Sequence, residues 1–484
     1  MSSHPNVERL IFTRFPHQPT QGQREACSLL VDFLFDADPH VAFLLKGYAG
    51  TGKTSLVSAL IQTAPLLRLH TVLLAPTGRA AKVLSGYSGQ QAYTIHKKIY
   101  MASTDASGAI RTVRAPNKHS YTLFIVDEAS MIGLDTPDGG AGWARRNLLE
   151  DLLDYVADGN HCRLLLMGDG AQLPPVGAGE SPALNAKYLE SLSGLRIYEY
   201  ELTEVVRQQH ESGILHDATV LRNRLATLGP YEPVELPLFA EPDGTDVVRL
   251  PGTALEEVLQ HEYSATGIED VVLVTRSNKR ANLFNQGIRN RVLYREEEIN
   301  AGDYLMVVKN NYFWTDEASE MSFIANGDIV EVLGARNFQE LYGFRFADAT
   351  LRFVDYADAP TLDCKLLLDT LHSDSPSLSA AEMANLFNAV MEDYADLPHK
   401  YERLKAVKTN PYFNALQVKF AYALTCHKTQ GGQWPTVFID QGYITDDMLD
   451  KELLRWFYTA FTRATRKVYL INFEDKFFSD AAGE

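Results

Sequence analysis

Residues 47–54, Gly-Tyr-Ala-Gly-Thr-Gly-Lys-Thr, constrain the possible folds of this chain more than any other feature. They match the pattern G-x-x-x-x-G-K-[ST] and lie between the apolar run 41–45 and the helix-like stretch 55–61. In that setting, backbone N–H groups surround phosphates, the lysine reaches the terminal phosphates, and the last hydroxyl ligates Mg²⁺ at the positive end of a helix. We therefore predict a nucleoside-triphosphate site, in preference to a glycine-rich turn that binds nothing. Its predicted contacts are Gly47, Gly50, Thr51, Gly52, Lys53, Thr54 and Ser55.

Length and composition indicate a globular protein of several domains. A chain of 484 residues exceeds what one hydrophobic core usually supports, and 45% apolar residues suffice to build roughly two to four domains. No apolar stretch approaches the ~20 residues that cross a bilayer. Residues 1–14 carry no apolar signal core, so we expect a cytoplasmic protein. The four cysteines form no C-x-x-C pair, which predicts neither a disulfide framework nor a zinc site.

The net charge is strongly negative. Lys and Arg number 45 against 62 Asp and Glu, which gives −17. This balance argues against a surface covered in basic patches for duplex DNA. It is compatible with a narrow groove that holds a single strand by local charge, stacking and backbone donors.

Short apolar runs alternate with amphipathic stretches in two parts of the chain. Such runs are typical of buried parallel strands joined by crossover helices, so the sequence predicts an α/β fold with two units. The predicted strands are 41–45, 71–75, 123–126 and 163–167 in the first unit, and 271–275, 437–440 and 468–471 in the second.

Three regions depart from this alternation. Residues 99–101 and 110–113 flank Asp-Ala-Ser-Gly and predict a β-hairpin. Residues 302–356 are β-rich and predict a small barrel. Residues 366–408 are predicted to be helical, with an apolar stripe that favours packing on the helix's own domain. The stripe comprises Met383, Leu386, Phe387, Val390 and Met391.

Acidic and amide side chains follow two of the predicted strands. Asp127 and Glu128 end the run 123–126, at the sheet edge where the phosphate loop lies in open α/β sheets. Asp127 suits Mg²⁺ together with Thr54, and Glu128 suits polarisation of the attacking water. Asp169 and Gln172 follow the next strand and can reach the γ-phosphate from a loop stiffened at Pro174. The alternative is an acidic turn without a metal.

Six motifs in this order resemble those of superfamily 1 DNA helicases, specifically the 1B group and its RecD and Dda branch. They cover about residues 20–470, and the resemblance is weak over 340–412. The motifs are the phosphate loop, Asp-Glu-Ala-Ser at 127–130, Gly-Asp-x-x-Gln-Leu-Pro-Pro-Val at 168–176, Leu-Thr-Glu-Val-Val-Arg-Gln at 202–208, Cys-His-Lys-Thr-Gln-Gly at 426–431 and Tyr-Thr-Ala-Phe-Thr-Arg-Ala at 458–464.

The resemblance implies two RecA-like P-loop domains with ATP and Mg²⁺ in the cleft between them and single-stranded DNA across both. It assigns 1–98 and 119–200 to the first RecA-like domain and 99–118 to a strand-splitting hairpin. Residues 201–300 and 415–484 form the second RecA-like domain, and 301–414 an SH3-like β-barrel insert with a helical arm.

The resemblance also implies roles for residues outside the phosphate loop. Gln23 becomes the reader of adenine, since its amide offers one acceptor and two donors; the alternative is an exposed glutamine at a helix start. Arg207 and Arg463 become the cations that neutralise the transferring phosphoryl group across the cleft. Gln430 and Gly431 bring a polar side chain and a close backbone approach to the nucleotide.

A strand-binding set follows from the same resemblance, and few of its contacts read base edges, so binding tolerant of sequence is expected. The alternative for His96 is a structural histidine. The set comprises Pro76, Thr77, Arg79, His96, Pro174, Asn310, His427 and Lys428.

The sequence thus predicts an ATP-dependent 5′-to-3′ DNA helicase, a monomer that acts on single strands and on junctions of single-stranded with duplex DNA. Repair, recombination or replication are its expected settings, with protein partners from those processes. The predicted hairpin tip, 104–108, carries no aromatic wedge. Two alternatives stay open: a translocase or ATPase subunit of a larger complex that does not separate strands itself, and a nucleotide-gated binding protein without catalysis.

Overall fold

The structure is a computed structural model and describes residues 4–104, 110–134, 147–204, 212–229, 234, 239, 246–315, 324–354 and 361–478. Its helices are α1 (Pro5–Phe12), α2 (Gln21–Leu34), α3 (Lys53–Thr63), α4 (Gly78–Ser88), α5 (Ile95–Ile99), α6 (Leu148–Ala157), α7 (Ala186–Ser193), α8 (Gly213–Thr227), α9 (Leu255–Thr266), α10 (Asn278–Gly287), α11 (Ala380–Glu392), α12 (Lys400–Lys408), α13 (Cys426–Thr429) and α14 (Lys451–Phe461). Its strands are β1 (Val41–Gly47), β2 (His70–Ala75), β3 (Ala92–Thr94), β4 (Tyr100–Thr104), β5 (Ile110–Arg114), β6 (Thr122–Val126), β7 (Arg163–Gly168), β8 (Arg196–Leu202), β9 (Val247–Leu250), β10 (Val271–Thr275), β11 (Tyr304–Val307), β12 (Ile329–Leu341), β13 (Phe344–Phe353), β14 (Leu362–Leu367), β15 (Leu416–Phe420), β16 (Ala423–Thr425), β17 (Trp434–Asp440) and β18 (Ala464–Ile471).

The first sheet is parallel and has the order β3-β2-β6-β7-β1-β8. Its central strands carry apolar runs because helices cover both faces, and β6 is buried along its whole length. Parallel strands end at the same edge, so the segments that follow β1, β2, β6 and β7 meet there. These four segments carry most of the predicted site.

The second sheet is also parallel, with the order β16-β10-β17-β18-β9. Helix α14 packs against α8 and against β17 and β18. Its residues from Leu453 to Phe461 are all buried, because one side of the helix covers this sheet and the other meets the first unit. The predicted α/β class with two parallel sheets is therefore confirmed.

A closed barrel of β11, β12, β13, β14 and β15 is inserted in the second unit. The barrel confirms the predicted β-rich insert, but its last strand comes after the helical arm and beyond the predicted end at 414. A closed barrel leaves no edge, and β15 pairs with both β11 and β14.

The prediction of helix from residue 366 was wrong, since 366 and 367 belong to β14 and the arm begins at α11. Leu386 and Val390 of α11 pack on the barrel residue Phe346, as the apolar stripe predicted.

The predicted hairpin is formed by β4 and β5, which pair antiparallel from Tyr100 opposite Arg114 to Thr104 opposite Ile110. Residues 105–108 of its predicted tip lie outside the described residues. Over the ranges that the structure describes, no helix combines the length and the apolar character that a membrane span requires.

Candidate nucleotide cleft and strand-binding residues

The loop between β1 and α3 has the conformation of a phosphate cradle. Gly50 and Gly52 adopt positive φ angles of 79° and 83°, which side-chain-bearing residues rarely adopt. A Cβ on Gly47 would stand 2.9 Å from the Thr51 hydroxyl oxygen, so this position also requires glycine. Lys53 donates from Nζ to the Tyr48 carbonyl at 3.0 Å and to the Gly47 carbonyl. The ammonium group therefore lies over the loop that it is predicted to serve.

The carboxylates after β6 face this loop. Asp127 accepts a hydrogen bond from the Tyr87 hydroxyl at 2.7 Å and from the Glu128 backbone N–H at 2.7 Å. Burial raises the pKa of Asp127, and it raises the pKa of Glu128 to about 7 while nearby Arg463 acts in the opposite direction. A cation placed at these carboxylates would favour their ionised forms.

The donor set fits Mg²⁺ and a triphosphate. The Thr54 hydroxyl and the Asp127 carboxylate both line the cleft, and Mg²⁺ prefers such hard oxygen ligands beside phosphate oxygens. The cleft has a volume of about 1000 Å³. Ser55, Gly50, Gly52 and Lys53 also line it, whereas Thr51 is fully buried and bonds the Tyr48 carbonyl at 2.8 Å.

Arg463 reaches the same cleft from the end of α14. Its guanidinium donates to the carbonyls of Thr459 and Gly432, each at 3.1 Å, and to the Thr462 hydroxyl at 3.2 Å. Its Nη1 lies 4.0 Å from Oε1 of Glu128, and its side chain is 4% exposed. The second unit thereby places the Arg463 guanidinium, fixed by its hydrogen bonds, next to the Glu128 carboxylate of the first unit. Arg207, the other predicted cation, lies outside the described residues.

Tyr458 joins three parts of the site, and sequence reasoning missed it. Its hydroxyl accepts from the Ala49 N–H of the phosphate loop at 2.9 Å and donates to Oδ2 of Asp169 at 2.6 Å. Asp169 in turn accepts from the Ala171 N–H at 2.9 Å. The available signal was a tyrosine inside an apolar helix, because a buried hydroxyl needs a partner.

We expect Tyr458→Phe to lower the maximal rate of ATP hydrolysis by about tenfold, because Asp169 keeps its burial and loses a donor. The matched control is Tyr263→Phe, since the buried Tyr263 hydroxyl has no hydrogen-bond partner among the described residues. Steady-state hydrolysis with saturating single-stranded DNA measures both. Equal losses in the two variants would contradict a specific role for the Tyr458 hydroxyl.

The loop after β7 is braced by the second unit. The Leu173 N–H donates to the Thr459 hydroxyl at 2.9 Å, and Gln430 donates from Nε2 to the Leu173 carbonyl at 2.6 Å. Gln430 therefore contacts the loop after β7 and is not a lining residue of the cleft. Its neighbour Gly431 does line the cleft. Gln172 lines the cleft, is 6% exposed, and its Oε1 has no partner among the described residues.

Gly431 approaches the backbone of the first unit closely. It has a φ of 73°, and a Cβ there would stand 2.6 Å from the Ala80 Cβ and 3.3 Å from the Thr77 hydroxyl oxygen. Any side chain at this position would hold the units apart.

Gln23 lies behind the phosphate loop. It forms a capping box with Thr20 at the start of α2, and its Nε2 donates to the Thr51 carbonyl at 3.1 Å. It is 2% exposed and is not a lining residue of the cleft; its Nε2 bonds the phosphate loop, and its Oε1 accepts from the Thr20 N–H at the start of α2. His17, which sequence reasoning missed, lines the cleft.

The predicted strand-binding residues of the first unit lie around the start of α4 and α5. Thr77 caps α4 by accepting from the Ala80 N–H, and Pro76 precedes it. Arg79 stacks on the Trp434 ring with its guanidinium 3.9 Å from the ring centroid, and it donates to the Gln433 carbonyl at 3.2 Å. Arg79 therefore joins the two units. His96 lies on α5 with its ring 5.6 Å from that of Tyr100.

Lys428 and Asn310 belong to a chain of hydrogen bonds between the second unit and the barrel. Lys428 donates to Oδ1 of Asn326 at 2.8 Å, and the Asn326 N–H donates to Oδ1 of Asn310 at 2.7 Å. Burial lowers the pKa of His427, which favours its neutral form. Pro174 is buried beside a second cavity.

Comparison with known proteins finds two family models that match parts of the chain. Residues 19–226 match an AAA domain, and residues 420–471 match a UvrD-like helicase C-terminal domain. The ATP-dependent DNA helicase dda of Enterobacteria phage T4 is 26% identical over 93% of this chain and 99% of its own. The ATP-dependent RecD2 DNA helicase of Deinococcus radiodurans is 28% identical over 68% of this chain, which spans 43% of that protein. A Pif1 helicase from Bacteroides in complex with ADP-AlF3 and ssDNA has a TM-score of 0.43 and 14% identity, with 96% of this chain and 95% of the other covered.

Proposed function

The chain belongs to the superfamily 1B DNA helicases of the RecD/Dda type, and from that premise we propose that it moves 5′ to 3′ on single-stranded DNA and separates the duplex ahead. The observation that carries the proposal is the position of Arg463. A guanidinium held by the second unit lies 4.0 Å from Glu128, in the cleft that Lys53 lines. Hydrolysis of a nucleotide bound at that position would therefore depend on how closely the two units approach each other.

The roles of the residues follow from charge and reach. Lys53 neutralises the terminal phosphates, and Glu128 orients the attacking water. Arg463 stabilises the charge that develops on the transferring phosphoryl group. Mg²⁺, when bound at Thr54 and Asp127, supplies positive charge against the phosphate oxygens.

Movement follows from a change in affinity between the two units. ATP contacts both sides of the cleft and favours the closed arrangement, and hydrolysis removes the phosphoryl group that Arg463 contacts. The closed arrangement is supported by the short approach of Gly431 to Ala80 and by Arg79 stacked on Trp434. We propose the units as the two RecA-like domains, 1–98 with 119–200 and 201–300 with 415–484.

The strand path in this proposal runs past Thr77 and His96 on the first unit and past Asn310, His427 and Lys428 on the second. Backbone donors at the start of α4 and the amides beside Lys428 suit phosphates. Backbone contacts of this kind are tolerant of sequence. We place the activity in DNA repair, recombination or replication, and we propose a monomer as the active form.

The polarity is tested with two duplexes that differ only in which strand carries a single-stranded overhang. We expect strand displacement from the 5′ overhang to exceed that from the 3′ overhang by at least about tenfold, because translocation in one direction reaches only one junction. A fluorescent displaced strand in the presence of ATP and a trap provides the readout. Preference for the 3′ overhang would contradict the polarity. DNA-stimulated hydrolysis without displacement would instead support the translocase alternative.

A further inference from the structure

Residues 432–434, the support segment, hold Arg463 in place from within the second unit. The Arg463 guanidinium donates to the Gly432 carbonyl at 3.1 Å, and the Arg463 carbonyl accepts from the Trp434 N–H at 2.9 Å. The segment therefore bonds both the side chain and the backbone of Arg463. A shift of the segment would change the 4.0 Å distance between Arg463 and Glu128.

The support segment is held in turn by helix α4 of the first unit. The Arg79 guanidinium lies 3.9 Å from the Trp434 ring centroid and donates to the Gln433 carbonyl at 3.2 Å. Trp434 is 4% exposed, and a cation stacked on a ring is attracted more strongly where water is excluded. A Cβ on Gly432 would stand 2.4 Å from the Trp434 ring and 2.9 Å from Cδ of Arg79. The stacked pair thus packs directly on the backbone of the segment.

The strand pairing explains why Trp434 and Arg463 serve different sides of the same joint. Trp434 stands opposite Ala464, the residue that follows Arg463, at one end of β17 and β18. The register then shifts between Trp434 and Thr436, where the intervening proline has no N–H to donate. Irregularities of this kind redirect side chains beside functional sites. Here the ring meets α4 while the arginine reaches the cleft.

Helix α4 also contacts the carboxylate side of the cleft. Ala80 and Tyr87 both line the cleft, and Tyr87 donates to Oδ2 of Asp127 at 2.7 Å. One helix of 11 residues therefore joins the contact with Trp434 to the contact with Asp127. A rigid element of this kind fixes the distance between the groups that it touches.

We propose that Arg79 and Trp434 are positioning residues for ATP hydrolysis. When the units close, the stack fixes the support segment, and the segment holds the Arg463 guanidinium at the transferring phosphoryl group. The stack and the Arg463 contact both span the two units, so they form and break together. The inference rests on the proposed function, since it requires that Arg463 acts on that phosphoryl group.

The test is steady-state hydrolysis by full-length variants, with and without single-stranded DNA. We expect Arg79→Gln to lower the maximal rate about tenfold in both conditions, the scale of a cation–π contact shielded from water. The KM for ATP should stay within about twofold, because a residue that acts only in the transition state affects the rate and not substrate binding. Trp434→Phe keeps an aromatic face and should cost about threefold.

The decisive variant combines Arg79→Gln with Arg463→Ala. A residue that acts through Arg463 has no further effect once Arg463 is absent, so the double variant should match Arg463→Ala within about twofold. Arg249→Gln is the matched control, since Arg249 also stacks on a ring, that of Phe478, and donates to a carbonyl, that of Phe473. It lies opposite Leu470, at the other end of β18, and its loss should leave the rate unchanged.

A parent rate in Arg79→Gln would overturn the inference, and this variant decides the matter if Trp434→Phe does not fold. A further tenfold loss in the double variant would overturn it too. So would a loss confined to reactions with DNA and matched by weaker DNA binding in fluorescence anisotropy, which would assign Arg79 to the strand. If Arg463→Ala hydrolyses ATP at the parent rate, the proposed function fails first, and that result is distinct from failure of the positioning role alone.

Discussion

Lys53→Ala is expected to lower DNA-stimulated ATP hydrolysis by at least about 100-fold, because it removes a preorganised positive charge from the developing phosphate charge. The fold should persist, since within the described part of the chain the hydrogen bonds of the Lys53 ammonium group go to backbone carbonyls of its own loop. Binding of single-stranded DNA should be retained in part, because the proposed strand surface lies at α4, α5 and the barrel. Phosphate release reports hydrolysis, and fluorescence anisotropy reports DNA binding.

The chain offers a matched control for this variant. Lys279 stands in the first turn of α10, after the parallel strand β10, and it is exposed. Lys279→Ala repeats the loss of a lysine at a helix start without touching the cleft, and it should hydrolyse ATP at the parent rate. If Lys53→Ala hydrolysed ATP at the parent rate, that result would contradict the assignment of the phosphate loop as the site of hydrolysis.

Arg463→Ala is expected to lower the maximal rate of hydrolysis by about 1000-fold, the scale of an arginine that acts on a transferring phosphoryl group from a neighbouring domain. Arg463→Lys should recover only part of the loss. A lysine keeps the charge and cannot reproduce the forked bonds to Thr459, Gly432 and the cleft.

Because Arg463 also bonds carbonyls of its own unit, the experiment must separate catalysis from stability. Binding of a fluorescent ATP analogue and thermal unfolding are measured alongside hydrolysis, and both should change far less than the rate. Arg291→Ala serves as the control, since its exposed pair with Glu256 contributes little to stability. A loss of hydrolysis fully explained by lost nucleotide binding would contradict the assigned role.

Local patterns in the sequence were sufficient to predict the strands and the phosphate loop. Runs such as 123–126 and 271–274 are apolar at every position, and a strand covered on both faces has that composition wherever it lies in the chain. The glycines at 50 and 52 mark positive φ angles for the same local reason. Asp127 and Glu128 were found because the carboxyl ends of parallel strands share one edge.

Contacts between distant segments could not be predicted in this way. Gln430, predicted at the nucleotide, bonds the Leu173 carbonyl, and Arg79, predicted at DNA, stacks on Trp434; neither contact could be read from the sequence. The direction of each side chain depends on how the two sheets meet, and no local pattern encodes that. The same holds for β15, whose place in the barrel requires edges supplied by β11 and β14.

By itself, the sequence determined the chemistry of the cleft and the elements that carry it, because strand burial and loop conformation depend on near neighbours along the chain. The tertiary structure alone decided that Tyr458 bridges Ala49 and Asp169, that Arg463 stands beside Glu128, and that Arg79 stacks on Trp434. These contacts join segments more than 280 residues apart in the first case, and only the packing of the two units brings them within bonding distance.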